Sequence, residues 1–244
     1  MRILGTTDIG SVRKTNQDAY ATGTFDDGSV WAVVCDGMGG ANGGGVASTI
    51  AVKIISERLA SGYRSKTDAN SIRNMLLSAI EAANAEVYRV AHTDEELAGM
   101  GTTVVAVIAT ASKVYVIHIG DSRVYLSCKD NICRLTRDHS IVQEMIETGQ
   151  ITEQEARNHP RKNIITRALG VQENSGSDYC ETQISDDDIL LICTDGLSNH
   201  VSDETIQEVL RRSGDIHELV GLANSSGGTD NITAVMISKN PIKE

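Results

Sequence analysis

Four short segments of this chain each centre on an aspartate: Asp36-Gly37-Met38-Gly39-Gly40, Gly120-Asp121-Ser122-Arg123, Thr194-Asp195-Gly196 and Gly228-Thr229-Asp230-Asn231. Any one of them reads most simply as a turn or helix cap, because a short carboxylate beside glycine or asparagine bonds its own backbone well. Each one, however, lies where a hydrophobic run ends or begins. Four carboxylates delivered by buried strands to one rim would make a cage for hard cations. Oxygen ligands select magnesium or manganese, whereas zinc prefers cysteine and histidine. A carboxylate bridging two such ions roughly 3.5 to 4 Å apart leaves a shared water acidic enough to become hydroxide near neutral pH. That nucleophile needs no serine, cysteine or histidine.

The glycine-rich run from Gly37 to Gly45 has no P-loop lysine, and dinucleotide spacing fails at Asn42. Asp36 at its head would repel a phosphate by roughly 1 kcal/mol at 4 Å in water and about 4 at an effective dielectric of 20. A divalent cation between them reverses that sign. The glycines are therefore expected to turn the chain sharply after Asp36, so that the Gly37 carbonyl can join the carboxylate on a metal. Arg13, in Arg13-Lys14-Thr15-Asn16-Gln17-Asp18, is the candidate for a bidentate phosphate contact. The six histidines show no HxxxH spacing, and the five cysteines are odd in number with no CxxC. Neither a zinc site nor a disulfide framework is indicated. Cys35 and Cys193 read as small core residues.

Elements must hold these groups. Hydrophobic and alternating runs predict strands at about 2–9, 17–23, 29–35, 101–109, 113–119, 122–127, 131–135, 178–184, 188–193 and 231–238. Apolar residues three and four apart predict two long helices, one through Val46, Ile50, Ile54 and Leu59 and one through Ile72, Leu76, Ala79, Ala83 and Val87. Shorter helices are expected at 140–148, 153–158, 203–212 and 215–225, the third capped by Ser202. Strands in consecutive runs favour antiparallel pairing over βαβ alternation. The only prolines are Pro160 and Pro241, no linker or repeat divides the chain, and the polar stretch from Thr148 to Asn163 reads as a surface flap.

A chain of 244 residues with 40% hydrophobic content can bury one large core, and a single domain is expected. Its net charge of −11 opposes nonspecific binding to nucleic acid or anionic membrane. No apolar run approaches the roughly 20 residues of a membrane span, and the first residues lack the apolar core of a secretory signal, so a cytoplasmic protein is expected.

Taken in order, the motifs resemble those of the metal-dependent protein phosphatases of type 2C, in particular the compact bacterial serine/threonine phosphatases. The resemblance covers nearly the whole chain: Arg13, Asn16, Gln17 and Asp18; Asp36 to Gly40; Met100 to Thr103; Gly120 to Arg123; Asp138 to Ser140; His159 to Gly170; Thr194 to Leu197; and Gly228 to Thr233. It implies an α+β fold, a four-layer α/β/β/α sandwich of two antiparallel sheets flanked by helices, with a flap near 148–165. It implies two Mn2+ or Mg2+ ions and a third, weaker one. Asp36 would bridge the first two, Gly37 would give a carbonyl to one, and Asp195 and Asp230 would bind the other. Asp121 would hold the third, and Asp18 would orient metal-bound water.

The activity implied is hydrolysis of phosphoserine and phosphothreonine in proteins by a metal-bridging water or hydroxide. Phosphorylated proteins and a cognate serine/threonine kinase are the partners implied. Many eukaryotic members have a histidine where this chain has Met38, and that histidine is proposed to protonate the leaving alkoxide. Met38 cannot, which leaves metal-bound water as the default acid and His159, in the flap, as a substitute. Two rivals share the motifs: a catalytically dead module that binds phosphoproteins, which predicts loss of a metal aspartate, and a hydrolase of small phosphoesters.

Overall fold

The computed structural model describes residues 1–239, with the backbone alone for residues 41 and 42; Pro241 lies outside them. Eleven strands form two sheets in which every neighbouring pair is antiparallel. One sheet contains β1 (Arg2–Asp8), β11 (Ile232–Ser238), β10 (Ile189–Cys193), β7 (Arg123–Ser127) and β8 (Ile132–Arg134), in that order. The other runs β2 (Asp18–Thr24), β3 (Val30–Met38), β5 (Val104–Ala109), β6 (Lys113–Ile119) and β9 (Asp178–Gln183), and the two-residue β4 (Gly101–Thr102) pairs with β3.

Alternation along each strand separates two environments. Val30, Ala32 and Val34 of β3 meet Val105 and Val107 of β5 and, across the sandwich, Leu190, Ile192, Val235 and Ile237 of the other sheet. The intervening Trp31, Val33 and Cys35 pack on α1 (Gly40–Gly62) and α2 (Ala69–Thr93). On the far side Leu191, Cys193, Ala234 and Met236 pack on α6 (Asp203–Arg212) and α7 (Ile216–Ser225). These are the four expected layers. Because both faces of β3 and β10 are covered, their sequences are almost unbroken apolar runs. Each fully buried Val, Leu or Ile contributes roughly 1.5–3 kcal/mol.

The helices follow their patterns. Ile72, Leu76, Ala79, Ile80, Ala83 and Val87 of α2 are buried, and the Asp68 side chain caps its start by accepting from Asn70 N and Ser71 N. Ser202 caps α6 by accepting from Thr205 N. Between β8 and β9 lie α3 (Ile141–Glu147), just before the expected flap, and α4 (Glu153–Arg157) within it, the latter closed by a capping box between Thr152 and Glu155. Two features differ from the sequence expectation. The run 101–109 breaks at Thr103, whose N–H donates to the Asp36 carbonyl at 2.8 Å. A short helix, α5 (Asp195–Ser198), begins directly after β10.

Candidate metal centre

At one end of the sandwich the positions that face the inter-sheet core change from aliphatic to polar. On β3 the series Val30, Ala32, Val34 continues to Asp36; on β2, Tyr20 is followed toward that end by Asp18. Thr103, Ser122, Thr194 and Thr233 occupy the equivalent places beside β5, β7, β10 and β11. A period of two thus turns the end of a hydrophobic core into a polar cup.

Asp18 and Asp36 are opposite each other in the β2–β3 register. Asp18 Oδ2 accepts from Thr194 Oγ1 at 2.9 Å and from Thr233 Oγ1 at 2.7 Å, while its Oδ1 is buried with no partner. The backbone of Asp36 is clamped on both sides. Its N–H donates to Thr103 Oγ1 at 3.0 Å, and its carbonyl accepts from Thr102 Oγ1 at 2.8 Å as well as from Thr103 N. Asp195 opens α5; its Oδ2 accepts from Asn199 Nδ2 at 3.0 Å and its Oδ1 is also buried without a partner. Asp230 accepts from Asn231 N at 2.8 Å and from Arg13 Nη2 at 2.7 Å. Arg13, half-exposed at the rim, also donates from Nε to the Thr229 carbonyl at 3.3 Å.

Burial is the first cause that drives these carboxyls toward their protonated forms, and mutual repulsion is the second. Asp36 is pushed well above the carboxylate range by burial, then by Asp18, Asp195, Asp121 and Asp230. Asp121 is raised well above it by burial, Asp195 and Asp138, with Arg123 opposing. Asp195 is raised by burial and Asp230, with the neighbouring Asp36 carboxyl and the charges of Arg123 and Arg13 opposing the shift. Asp18 rises to about 7 through burial, against the two threonine hydroxyls that favour its ionised form. Half-buried carboxylates that repel one another and leave oxygens unpaired fit divalent cations, whose charge inverts the local balance.

The structure alters the expectation for Gly37. The chain does not turn after Asp36, because β3 continues to Met38, and the left-handed residues come later, at Gly39 (φ 114°) and Gly40 (φ 65°). Glycine is needed at 37 for a different reason: a Cβ there would lie 2.0 Å from the Gly44 carbonyl oxygen and 2.6 Å from that of Gln17. The first turns of α1 therefore press directly on the strand that carries Asp36.

His159 stands in the flap, where its Nδ1 accepts from Arg161 N at 3.2 Å. Among the described residues no hydrogen bond or ion pair links it to the site aspartates. Asp121 follows Gly120 (φ 104°), which His139 holds from both sides: Gly120 N donates to His139 Nδ1 at 3.1 Å and His139 N donates to the Gly120 carbonyl at 2.9 Å. His139 stacks on His118 with ring centroids 4.8 Å apart and lies beside Asp178, which pairs with Arg167 at 3.0 Å. His118, His139 and Asp178 come close enough to suit a metal. Their atoms are engaged in the protein, His118 Nε2 with the Arg137 carbonyl at 2.8 Å and His139 Nδ1 with Gly120. The cluster thus serves to fix Gly120 and, through it, the position of Asp121.

Sequence reasoning missed the residues that hold the aspartates. Thr194 and Thr233 anchor Asp18, Thr102 and Thr103 clamp Asp36, and Asn231 bonds Gln17 N, the Ile9 carbonyl and the Thr15 carbonyl, shaping the loop that carries Arg13. Their signal was present, since each is a short polar residue adjoining an aspartate motif or a β-strand end. A cleft of about 580 Å³ opens beside the cup toward the flap, with Asp121, Asp195, Arg157, Lys162 and His200 among its walls.

A four-layer sandwich with a self-repelling carboxylate cup at the end of its inter-sheet core defines a hard-cation hydrolase of the phosphatase class. Residues 10–231 match the family model described as Protein phosphatase 2C, and the chain belongs to that family. It is 39% identical over 238 residues to Serine/threonine phosphatase stp of Listeria innocua, covering 96% of this chain and 94% of that one. Its fold superposes on the Streptococcus agalactiae serine/threonine phosphatase with a TM-score of 0.91 at 34% identity, covering 98% and 99% of the two chains. The catalytic domain of the serine/threonine protein phosphatase PstP, solved in complex with two manganese ions, aligns at a TM-score of 0.83 and 31% identity, covering 96% of each chain.

Proposed function

We infer that the cup is the active site of a metal-dependent serine/threonine protein phosphatase, hydrolysing phosphoserine and phosphothreonine in proteins. The observation that carries this reading is the set of half-buried, converging carboxylates, Asp36, Asp195 and Asp121 with Asp18, that raise one another's proton affinity and leave two buried oxygens, Asp18 Oδ1 and Asp195 Oδ1, unpaired. Asp36, Asp195 and Asp230, with the Gly37 carbonyl, would hold two Mn2+ or Mg2+ ions, and Asp121 would hold a third. When bound, such ions supply Lewis acidity that neutralises the phosphoryl oxygens and acidifies the attacking water.

The chain's own residues do the rest. Thr194 and Thr233 bind one oxygen of Asp18 and turn the other toward the cup, where it can accept a proton or orient a water. Arg13 sits against Asp230 at the rim and can swing a planar pair of N–H donors onto a phosphate. Met38 has no proton to give, and no histidine among the described residues is hydrogen-bonded to a site aspartate. Water is the default source of the proton for the leaving serine or threonine oxygen, with His159 in the flap as the alternative. No phosphoenzyme is required.

Substrates of this kind are made by a serine/threonine kinase, and a cognate kinase acting on the same proteins is the counterpart the reaction needs. We propose that the phosphatase itself acts in the cytoplasm. No helix among the described residues is long and apolar enough to cross a membrane, and the five cysteines are free, as a reducing compartment leaves them.

Manganese and magnesium titrations of phosphothreonine-peptide hydrolysis test this assignment. Wild type should turn over only with metal, Asp36→Ala and Asp195→Ala should lose at least about a hundredfold in rate, and Asp121→Ala should need more metal. Metal-dependent turnover that survives Asp36→Ala would remove the cup from the mechanism. A full rate in Asp121→Ala at low metal would make the third ion dispensable.

A further inference from the structure

A second cavity, of about 300 Å³, is lined by Met38 at the end of β3 and by the segment 165–176, with Ile165, Ala168, Val171 and Ser175 among its walls. Met38 is two residues beyond Asp36 on β3, so the two side chains share a strand face about 7 Å apart along the chain. An extended substrate advances about 3.4 Å per residue. The cavity is therefore within one or two residues of whatever serine or threonine has its phosphate in the cup.

The cavity is built into the fold. Met38 pairs with Gly101 of β4, and Thr102 bridges to Leu169 through reciprocal bonds, Thr102 N to the Leu169 carbonyl at 3.1 Å and Leu169 N to the Thr102 carbonyl at 2.8 Å. Gly101 leaves room for the walls to converge: a Cβ there would meet Val171 Cγ2 at 2.9 Å and Met38 Cε at 3.0 Å. Behind the loop, buried Asn84 of α2 accepts from Gly170 N at 2.9 Å and donates to the carbonyls of Gln172 at 3.0 Å and Glu173 at 2.8 Å. A backbone held at three points by one buried side chain is preorganised to receive a ligand.

Met38, Ile165, Ala168 and Val171 give the cavity apolar walls suited to an uncharged side chain, and the uncharged polar groups of Thr166, Gln172 and Ser175 complete the lining. Val171 and the neighbouring Ile164 are large apolar side chains that remain 47% and 45% exposed. Arg167, the charged wall residue, is already paired with Asp178. Ser175, another wall residue, has its Oγ buried without a partner. The larger cleft on the flap side offers the opposite, a lining rich in carboxylates and cations.

We propose that this cavity is a substrate subsite that receives an aliphatic side chain, of leucine or methionine size, one or two residues from the phosphorylated residue. The inference rests on the protein phosphatase reading and narrows its substrate class. The test is kcat/KM, with manganese, on phosphothreonine peptides that carry leucine, alanine or aspartate at each of the two positions on either side, otherwise alanine. Leucine at one of the four positions should raise kcat/KM about tenfold over alanine, and aspartate there should lower it. Val171→Asp should bring that leucine-to-alanine ratio close to one, and the milder Val171→Thr should lower it partway. Equal rates for leucine and alanine at all four positions in wild type would overturn the subsite, as would an unchanged ratio in Val171→Asp. Turnover of p-nitrophenyl phosphate with none of any peptide would instead overturn the protein phosphatase reading, and the subsite with it.

Discussion

In the absence of metal, Asp18 works against the fold that it serves. Its carboxyl titrates at about 7 in the folded protein, against 3.8 for an unhindered aspartate. Between those values the folded chain keeps a proton that the unfolded chain has released, so stability falls as pH rises through this window and stays low above it. The rise from 3.8 to about 7 corresponds to about 4 kcal/mol as an upper bound, since neighbouring carboxylates share the proton. Asp18→Asn keeps an acceptor for Thr194 and Thr233 and removes the charge. Calorimetry in chelator should show the variant melting above wild type at pH 8 and the difference shrinking toward pH 4, while its metal-dependent turnover falls. A variant that melts no higher at pH 8 would mean that Asp18 carries no repulsive load. Arg13 has the complementary part: Arg13→Ala should raise KM for a phosphopeptide about tenfold, with Arg13→Lys between, because a lysine cannot reproduce the planar pair of donors. Steady-state kinetics on both variants would show it, and an unchanged KM would remove Arg13 from substrate binding. At this scale the sequence was informative about charge and blind to support. An aspartate after a hydrophobic run stands out in one dimension, whereas the bond from Thr194 or Thr233 to Asp18 depends on how two sheets face each other.

Elements bring the acids together by close approach. Gly37 and Gly44 let α1 lie on β3 with backbone against backbone, a Cβ on Gly44 falling 2.6 Å from the Gly37 carbonyl. Gly37→Ala should therefore cost about 3 kcal/mol or more, since the obstacle is backbone and cannot rotate away. Denaturant unfolding would measure it, and a loss under about 1 kcal/mol would show that α1 can shift without harm. Asn84→Ala removes the partners of one amide and two carbonyls around residues 170–173, and should cost about 2–3 kcal/mol while speeding hydrogen exchange at Gly170. Most element positions were legible because burial on one or both strand faces leaves a plain apolar signature. The exceptions have local causes. Thr103 leaves the β5 run because it is recruited to Asp36, and α5 is a four-residue helix too short to show periodicity. The glycines after Asp36 looked like a turn signal, since sequence alone does not distinguish a glycine that bends the chain from one that admits a neighbour.

At the level of the whole molecule, the cup exists only while both sheets stay packed. Asp18 and Asp36 come from one sheet, and of the residues that hold Asp18, Thr233 lies in β11 of the other and Thr194 directly follows its β10. The inter-sheet core of Val34, Val105, Leu190, Ile192 and Val235 is shared between them, so neither helix-covered half can bury its inner face alone. We propose on this basis that residues 1–244 unfold as one cooperative domain. The chain carries its own reporters. Cys35 is fully buried between the β2–β3–β5 sheet and helices α1 and α2, Cys193 is fully buried on the opposite side against α6 and α7, and burial raises the thiol pKa of both. In increasing urea with chelator present, a thiol reagent followed by peptide mapping should find the two cysteines exposed at the same midpoint, coincident with the fluorescence change of Trp31 in the first half. Manganese should shift all three transitions together to higher urea, because the aspartates proposed to hold the ions adjoin strands of both sheets. Separate midpoints for Cys35 and Cys193 would divide the chain into two units and would place the cup at a dockable interface instead of inside one core.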